Sequence, residues 1–261
     1  VSPAVDSGYA ATEIGTHGAE DVHTRHHMRY EHTIDWDDYW SDADETARQK
    51  ASPSAHLVRE PFAEFLAAVG PPASYADVGC GGGHLVFDAA EQYPDATVVG
   101  YDAAPPVVEA NRERAAAALE DPATVRFEQA TLPDFDPDRQ FEVVSCFYTL
   151  CYVAEVEEAL QALYDAVEPG GALAIGYHNS LGRSQYQRMA AEPAEEIPEG
   201  APFDPETFED RFELLLAGEN LLSHERIHDV LGTWPQSLYS VCSDAERHPA
   251  WRHNPYVYVP K

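Results

Sequence analysis

The chain has 261 residues, with 46 acidic against 16 basic side chains and a formal net charge of −30. That length suits one sizeable α/β domain with an appendage, and it buries enough surface to need no disulfide or metal staple. The acid excess disfavours nucleic acid as a partner, since phosphate binding draws on clustered Lys and Arg.

In chain order, residues 1–35 are small and polar, carry no sustained apolar period and read as a mobile extension. Met28 marks where an ordinary start would be expected, so residues 1–27 read as an upstream extension or an alternative start. His17, His23, His26, His27 and His32 fall in this region, and 23, 26 and 27 could share one helix face. Without cysteine or helical context they read as a histidine-bearing tail, and no metal site is expected. The segment 36–50 opens with "DWDDYW", which sets Trp36, Tyr39 and Trp40 on one side of a short helix. It is either a staple onto the main domain or a lid over a ligand.

From Ser52 the pattern is regular. Ser52 and Pro53 have the chemistry of an N-cap and first helical position. Leu57, Val58, Phe62, Phe65, Leu66 and Val69 then recur at helical spacing up to "GPP" at 70–72. Strand-like runs follow at 75–78, 97–101, 125–128, 141–147 and 172–177, with helical stretches at 84–92, 106–119 and 155–167 between them. "EPGG" at 168–171 reads as a helix C-terminus. This alternation predicts a doubly wound, mostly parallel sheet with helices on both faces. Residues 180–206 break the rhythm, 208–232 are helical with a break at "AGEN", and 237–243 and 256–259 offer two late strands.

The four cysteines form no C-x-x-C pair and read as free thiols in a reducing compartment. With no apolar run of about 18 residues and no basic-then-apolar leader, the expectation is a soluble cytoplasmic protein.

The chemistry concentrates in "YADVGCGGGH", residues 75–84. A glycine-rich turn after a strand lets a ligand approach the backbone, and the next helix presents N–H groups and positive dipole. A P-loop would need G-K-[ST], and no lysine occurs between 51 and 260. A dinucleotide fingerprint would need glycine where His84 stands. What remains is Asp77-x-Gly79-x-Gly81-x-Gly83. "TVVGYDAA" then ends a second strand in Asp102, where a carboxylate can accept from both hydroxyls of a ribose.

These residues, with "FEVVSCFYTLCYV" and "LYDAVEPGGALAIGYHN", resemble in order and spacing the signature segments of class I S-adenosylmethionine-dependent methyltransferases. The resemblance spans about 53–178 within a domain taken as 51–261. It implies a Rossmann-like, seven-stranded sheet whose antiparallel strand comes from the late pair, and S-adenosyl-L-methionine as cofactor. It also implies that Asp77, Gly79, Gly81 and Gly83 surround the methionine moiety. Asp102 would hold the ribose, with Ala103 beside the adenine; Cys146 to Tyr148 would line the methionine end, and Leu150 would pack beneath. Where many relatives carry an acid after the third strand, this chain has "EQATLP", so Gln129 or the backbone around Ala130 and Thr131 would meet the adenine, with Glu128 also in reach. The spread acid excess, with Lys50 and Lys261 as the only lysines, further resembles proteins of salt-accumulating halophiles, because molar salt shrinks the Debye length to about 3 Å.

Acceptor-side residues should lie at the carboxyl ends of the strands. His178 after the fifth strand is the first candidate for a general base, because histidine titrates near neutrality. Tyr148 and His84 follow, against the alternative that His178 only caps or packs. "SCFYTL" lacks the Asn/Asp-Pro-Pro-aromatic pattern that relatives use on planar amines, and there is no catechol-type metal triad. The expected partner is a small-molecule acceptor capped by 180–220, where Arg183 and Arg188 could meet an anion. The competing readings are a non-catalytic cofactor-binding module and an NAD-dependent oxidoreductase.

Overall fold

The computed structural model describes residues 30–43, 57–118, 124–197, 201, 204–242 and 255–261. The chain divides into two units, Val1–Glu31 and His32–Lys261; the architecture below is that of the second. Several sequence expectations lie outside the described residues: the extension up to residue 29 with His17, His23, His26, His27 and Met28, residues 44–50 of the aromatic segment, and the Ser52–Pro53 cap.

Seven strands form one sheet: β1 (Ser74–Val78), β2 (Thr97–Asp102), β3 (Val125–Gln129), β4 (Phe141–Phe147), β5 (Val167–Gly176), β6 (Gln236–Ser237) and β7 (Tyr256–Pro260). Their order is β3-β2-β1-β4-β5-β7-β6. The first five are parallel, while β7 runs antiparallel to both β5 and β6. This is the Rossmann-like, mostly parallel sheet expected, with its antiparallel strand where the late pair was placed. Every residue of β1 is buried, as a central parallel strand covered on both faces requires.

The helices divide between the faces. On one, α2 (Arg59–Val69), α3 (His84–Gln92) and α4 (Pro105–Ala118) bring Phe62, Phe65, Leu85, Val86 and Val108 against Tyr75, Val98 and Val143. On the other, α5 (Val156–Asp165) and α10 (His224–Leu231) set Leu160, Leu163 and Ile227 against Val144, Leu173 and Ile175. The remaining helices are α1 (Trp36–Asp42), α6 (Ser180–Ala191), α7 (Pro193–Glu196), α8 (Phe208–Arg211) and α9 (Glu213–Ala217). Tyr186, Met189, Phe208, Phe212 and Leu215 from this group build a satellite core with Cys151, beyond the carboxyl end of β4. Asn220, in the break between α9 and α10, ties that group down by donating to the carbonyl oxygens of Leu150 and Cys151 at 3.2 and 2.7 Å.

Two local expectations need correction. "EPGG" does not end a helix: α5 stops at Asp165, and 168–171 form an irregular start to β5, which pairs Phe141 with Val167 and then Val143 with Ala172. Gly171 must be glycine there, since a Cβ would lie 2.3 Å from the Glu142 carbonyl oxygen. The run 237–243 is strand only at its start, and Leu238–Val241 turn into a 3-10 helix. Leu238 and Tyr239 are both buried, and successive side chains of a strand point to opposite faces, so an edge strand could not bury both in one core.

Candidate functional site

The glycine loop is tied to the end of β2 by its own backbone. The Gly79 and Cys80 amides both donate to the Tyr101 carbonyl oxygen, at 2.8 and 2.9 Å, and the Gly83 amide donates to that of Cys80 at 2.9 Å. Gly79, Gly81 and Gly83 have φ of 74°, 49° and 72°, a region where a Cβ is strained. Gly79 is also sterically required, because a Cβ there would fall 2.0 Å from Oγ1 of Thr149, just beyond β4. His84 follows as the first residue of α3.

Asp102 closes the loop from the other side. Its carboxylate accepts from the Gly81 amide at 2.8 Å and the Ala104 amide at 3.1 Å. Burial raises its pKa, and the amides of Ala104, Gly81 and Ala103 oppose that rise. A carboxylate has about four acceptor sites, so the three amides leave capacity for a further donor such as a ribose hydroxyl. Ala103 and Ala130 stand beside it: the Ala130 amide donates to the Asp102 carbonyl oxygen at 3.0 Å, and the Gln129 side-chain amide donates to that of Ala103 at 3.1 Å. The structure therefore gathers Gly79, Gly81, Gly83, Asp102, Ala103, Gln129 and Ala130 along one edge.

Asp77 sits beneath the loop, 3% exposed, and opposite Ser145 in the β1–β4 register. Ser145 Oγ donates to Asp77 Oδ1 at 2.5 Å and also pairs with the Tyr75 hydroxyl at 2.7 Å. Burial pushes the Asp77 carboxyl up to about 7, against the pull of the Ser145 hydroxyl and with help from the Asp102 charge. Cys146 points elsewhere: it is fully buried within the apolar core on the α5 face, with Leu150, and burial pushes its thiol up.

Sequence reasoning missed Ser145, a lone hydroxyl in an apolar strand, and Asn111. Asn111 is 4% exposed on α4 and donates to the Gly81 carbonyl oxygen at 2.7 Å. An asparagine within the buried stripe of Val107, Val108 and Ala115 was the signal that marked it, because buried amides need partners.

Beyond β4 and β5 the residues are mostly rings. Tyr148 follows β4 with a left-handed φ of 60°, and its hydroxyl pairs with that of Tyr256 at the start of β7. His178 lies 6.2 Å from Tyr148 and 5.0 Å from Tyr186, ring centre to ring centre, both edge-on. The expectation that His178 titrates near neutrality is corrected, because burial lowers its pKa to about 4. It is a neutral imidazole at physiological pH. Arg183 donates to the Leu216 carbonyl oxygen and Arg188 bridges to Glu196 at 2.8 Å.

Helix α1 spans the two regions. Its N-cap Asp35 accepts from the amides of Asp37 and Asp38. Trp40 packs on Ala104 and Val107 beside Asp102, while Trp36 meets Tyr152 edge-on at 4.8 Å. The Arg211 guanidinium, itself buried, stacks 4.8 Å from the Trp36 ring and 5.4 Å from Tyr39. The segment is thus stapled on both sides while lying next to the carboxyl end of β2.

Residues 76–173, from within β1 into β5, match the family model described as a methyltransferase domain. The chain is 31% identical over 136 residues to a trans-aconitate 2-methyltransferase of Methylobacterium radiotolerans, covering 50% of this chain and 48% of that protein. It is 37% identical over 114 residues to a demethylmenaquinone methyltransferase of Thermus thermophilus, covering 42% and 49%. The chain thus spans about half the length of the curated relatives it matches. Among solved structures, the plantazolicin methyltransferase BamL, in complex with a substrate analog and SAH, superposes with a TM-score of 0.60 at 11% identity, over 92% of this chain and 99% of that one. PKMT2 from Rickettsia typhi in complex with AdoHcy gives 0.53 at 14%, over 77% and 52%. These structures share the fold. The segment 76–173 carries the glycine loop and Asp102.

Proposed function

We propose that the chain is an S-adenosylmethionine-dependent methyltransferase acting on a small-molecule acceptor. The observation that carries this reading is the closed polar ring of Gly81, Asp102 and Asn111 around a loop that tolerates no side chain at Gly79. The bound cofactor supplies an electrophilic methyl group on a cationic sulfur; the chain's residues hold, orient and shield. Asp77 and the loop glycines would hold the methionine end, with its positive charges near the buried Asp77 carboxyl. Asp102 would take the ribose hydroxyls, and Ala103, Gln129 and Ala130 would border the adenine. The segment 180–220 caps the acceptor side, with α1 beside it as a lid. Methyl transfer to a prealigned nucleophile needs positioning and exclusion of water above all, and the ring-lined region beyond β4 and β5 supplies both.

Four free cysteines suit a reducing, cytoplasmic setting, and the acid excess suits a salt-rich one. Among the described residues no helix is long and apolar enough to cross a membrane. The test is calorimetric titration, in molar potassium chloride, with S-adenosylhomocysteine and separately with NADH. Micromolar binding of the first alone is expected, whereas binding of NADH alone would overturn the reading.

A further inference from the structure

His178 is 4% exposed, and among the described residues neither of its ring nitrogens has a hydrogen-bond partner. A buried polar side chain left unsatisfied at both ends is uncommon and calls for a ligand. The surroundings say which kind. Tyr148 and Tyr186 present rings to the imidazole, Tyr148 leads on to Tyr256 at 5.9 Å, and Tyr186 is backed by Phe212 at 4.7 Å. Tyr148 is held in a left-handed conformation that a tyrosine rarely adopts, and such outliers cluster at ligand clamps. Among the described residues no charged side chain bears on His178, and burial is what moves its titration. The arginines of the cap are engaged elsewhere: Arg183 with Leu216, Arg188 with Glu196, and Arg211 with Trp36, Tyr39 and Tyr152.

We infer that Tyr148, His178, Tyr186 and Tyr256 form the acceptor subsite and that it takes an uncharged aromatic ring bearing an O–H or N–H group. The inference rests on the methyltransferase reading above. A neutral imidazole offers one donor and one acceptor, and an O–H or N–H on such a ring donates to the acceptor nitrogen while its faces and edges meet tyrosines in the offset and edge-on geometries that aromatic rings prefer. A polycarboxylate, the acceptor in the name of one relative, would enter a region where, among the described residues, no cation stands to offset its desolvation. A protonated amine would meet the same environment that keeps His178 uncharged.

The test uses the full chain in molar potassium chloride. S-adenosylhomocysteine is titrated first, and failure to bind it would count against the methyltransferase reading itself. On the saturated protein, 2-naphthol, indole and trans-aconitate are then titrated by calorimetry. At least one aromatic probe is expected to bind tenfold or more tightly than trans-aconitate. His178→Ala should weaken that binding at least tenfold while S-adenosylhomocysteine affinity stays within twofold. In the wild-type protein, the imidazole nitrogen resonances of His178 should shift on saturation with the aromatic probe, a readout that does not depend on any variant folding. Preference for trans-aconitate, no binding of either aromatic probe, or unmoved His178 resonances overturns the inference.

Discussion

The two ends of the site are made of different material. Along β1 and β2 the polar groups satisfy one another: loop amides on Tyr101 and Asp102, Asn111 on the Gly81 carbonyl, Ser145 on Asp77. Beyond β4 and β5 the surfaces are rings, and the central polar residue, His178, keeps both nitrogens without a partner among the described residues. A region that must bind one invariant ligand can be built from backbone and locked in advance. A region that selects a partner holds polar capacity in reserve for it.

The most severe way to break the first region is Gly79→Ala. The new Cβ would collide with Thr149 at a φ that alanine resists. S-adenosylhomocysteine binding should fall by more than about hundredfold with a stability loss of roughly 2–4 kcal/mol, read by calorimetry and thermal melting. Retained affinity would show that the loop can relax, and the contrast between the two ends would weaken.

Asp102→Ala comes next. It removes the acceptor for two amides and for the ribose hydroxyls, so cofactor affinity should drop by roughly 1–3 kcal/mol, about five- to 150-fold. Unchanged affinity in the titration would sink the ribose assignment.

Asp77→Asn sharpens the comparison through pH. The folded protein holds the Asp77 proton up to about pH 7, whereas the unfolded chain releases it near pH 4. Between those values the folded state binds the extra proton, so this group makes stability fall as pH rises, with no further change above about 7. The variant lacks that loss. Its ligand-free melting temperature should match the wild type near pH 4 and exceed it by roughly 8–16 °C at pH 8, since about three pK units are about 4 kcal/mol, and a gap that does not grow with pH would count against a strained carboxylate.

Tyr256→Phe carries the smallest effect. It deletes one hydroxyl pair with Tyr148, costing about 0.5–1.5 kcal/mol of stability and leaving S-adenosylhomocysteine affinity within twofold. A large loss of cofactor binding would mean that the two regions are one.

The same contrast explains what could be read from the sequence. Most of the cofactor edge lies within residues 75–104, with Gln129 and Ala130 beside it, and rests on backbone geometry, so glycine spacing and one carboxylate disclosed it; Asn111 and Ser145, whose value depends on packing, escaped. Strand and helix positions through β5 were legible because hydrophobic runs fix them locally. The ring cluster draws on 148, 178, 186 and 256, and no periodicity links Tyr148 to a residue 108 positions away. His178 was found by its place after a strand, but its depressed pKa comes from burial, which a sequence does not state. Likewise, Leu238 and Tyr239 turned out of the sheet because of what they had to cover.

The placement of β7 has a consequence in time as well as in space. Residues 256–260 lie between β5 and the short β6, and the Lys261 amide and carbonyl oxygen pair with Gly171 and Gly170 at 3.0 and 2.9 Å. During synthesis, β1, β2 and β3 are all made by residue 129, while β1 still lacks its partner β4 and Phe65 of α2 still lacks Tyr258. The outer edge of β5 stays bare for about 80 further residues, a strand edge open to any other chain. Tyr148 waits longer still for Tyr256, 108 positions on. On the proposed reading, the cofactor edge would come together earlier than the acceptor subsite, and a ligand that clamps β1 and β2 early would favour the folded form while β7 is still to come.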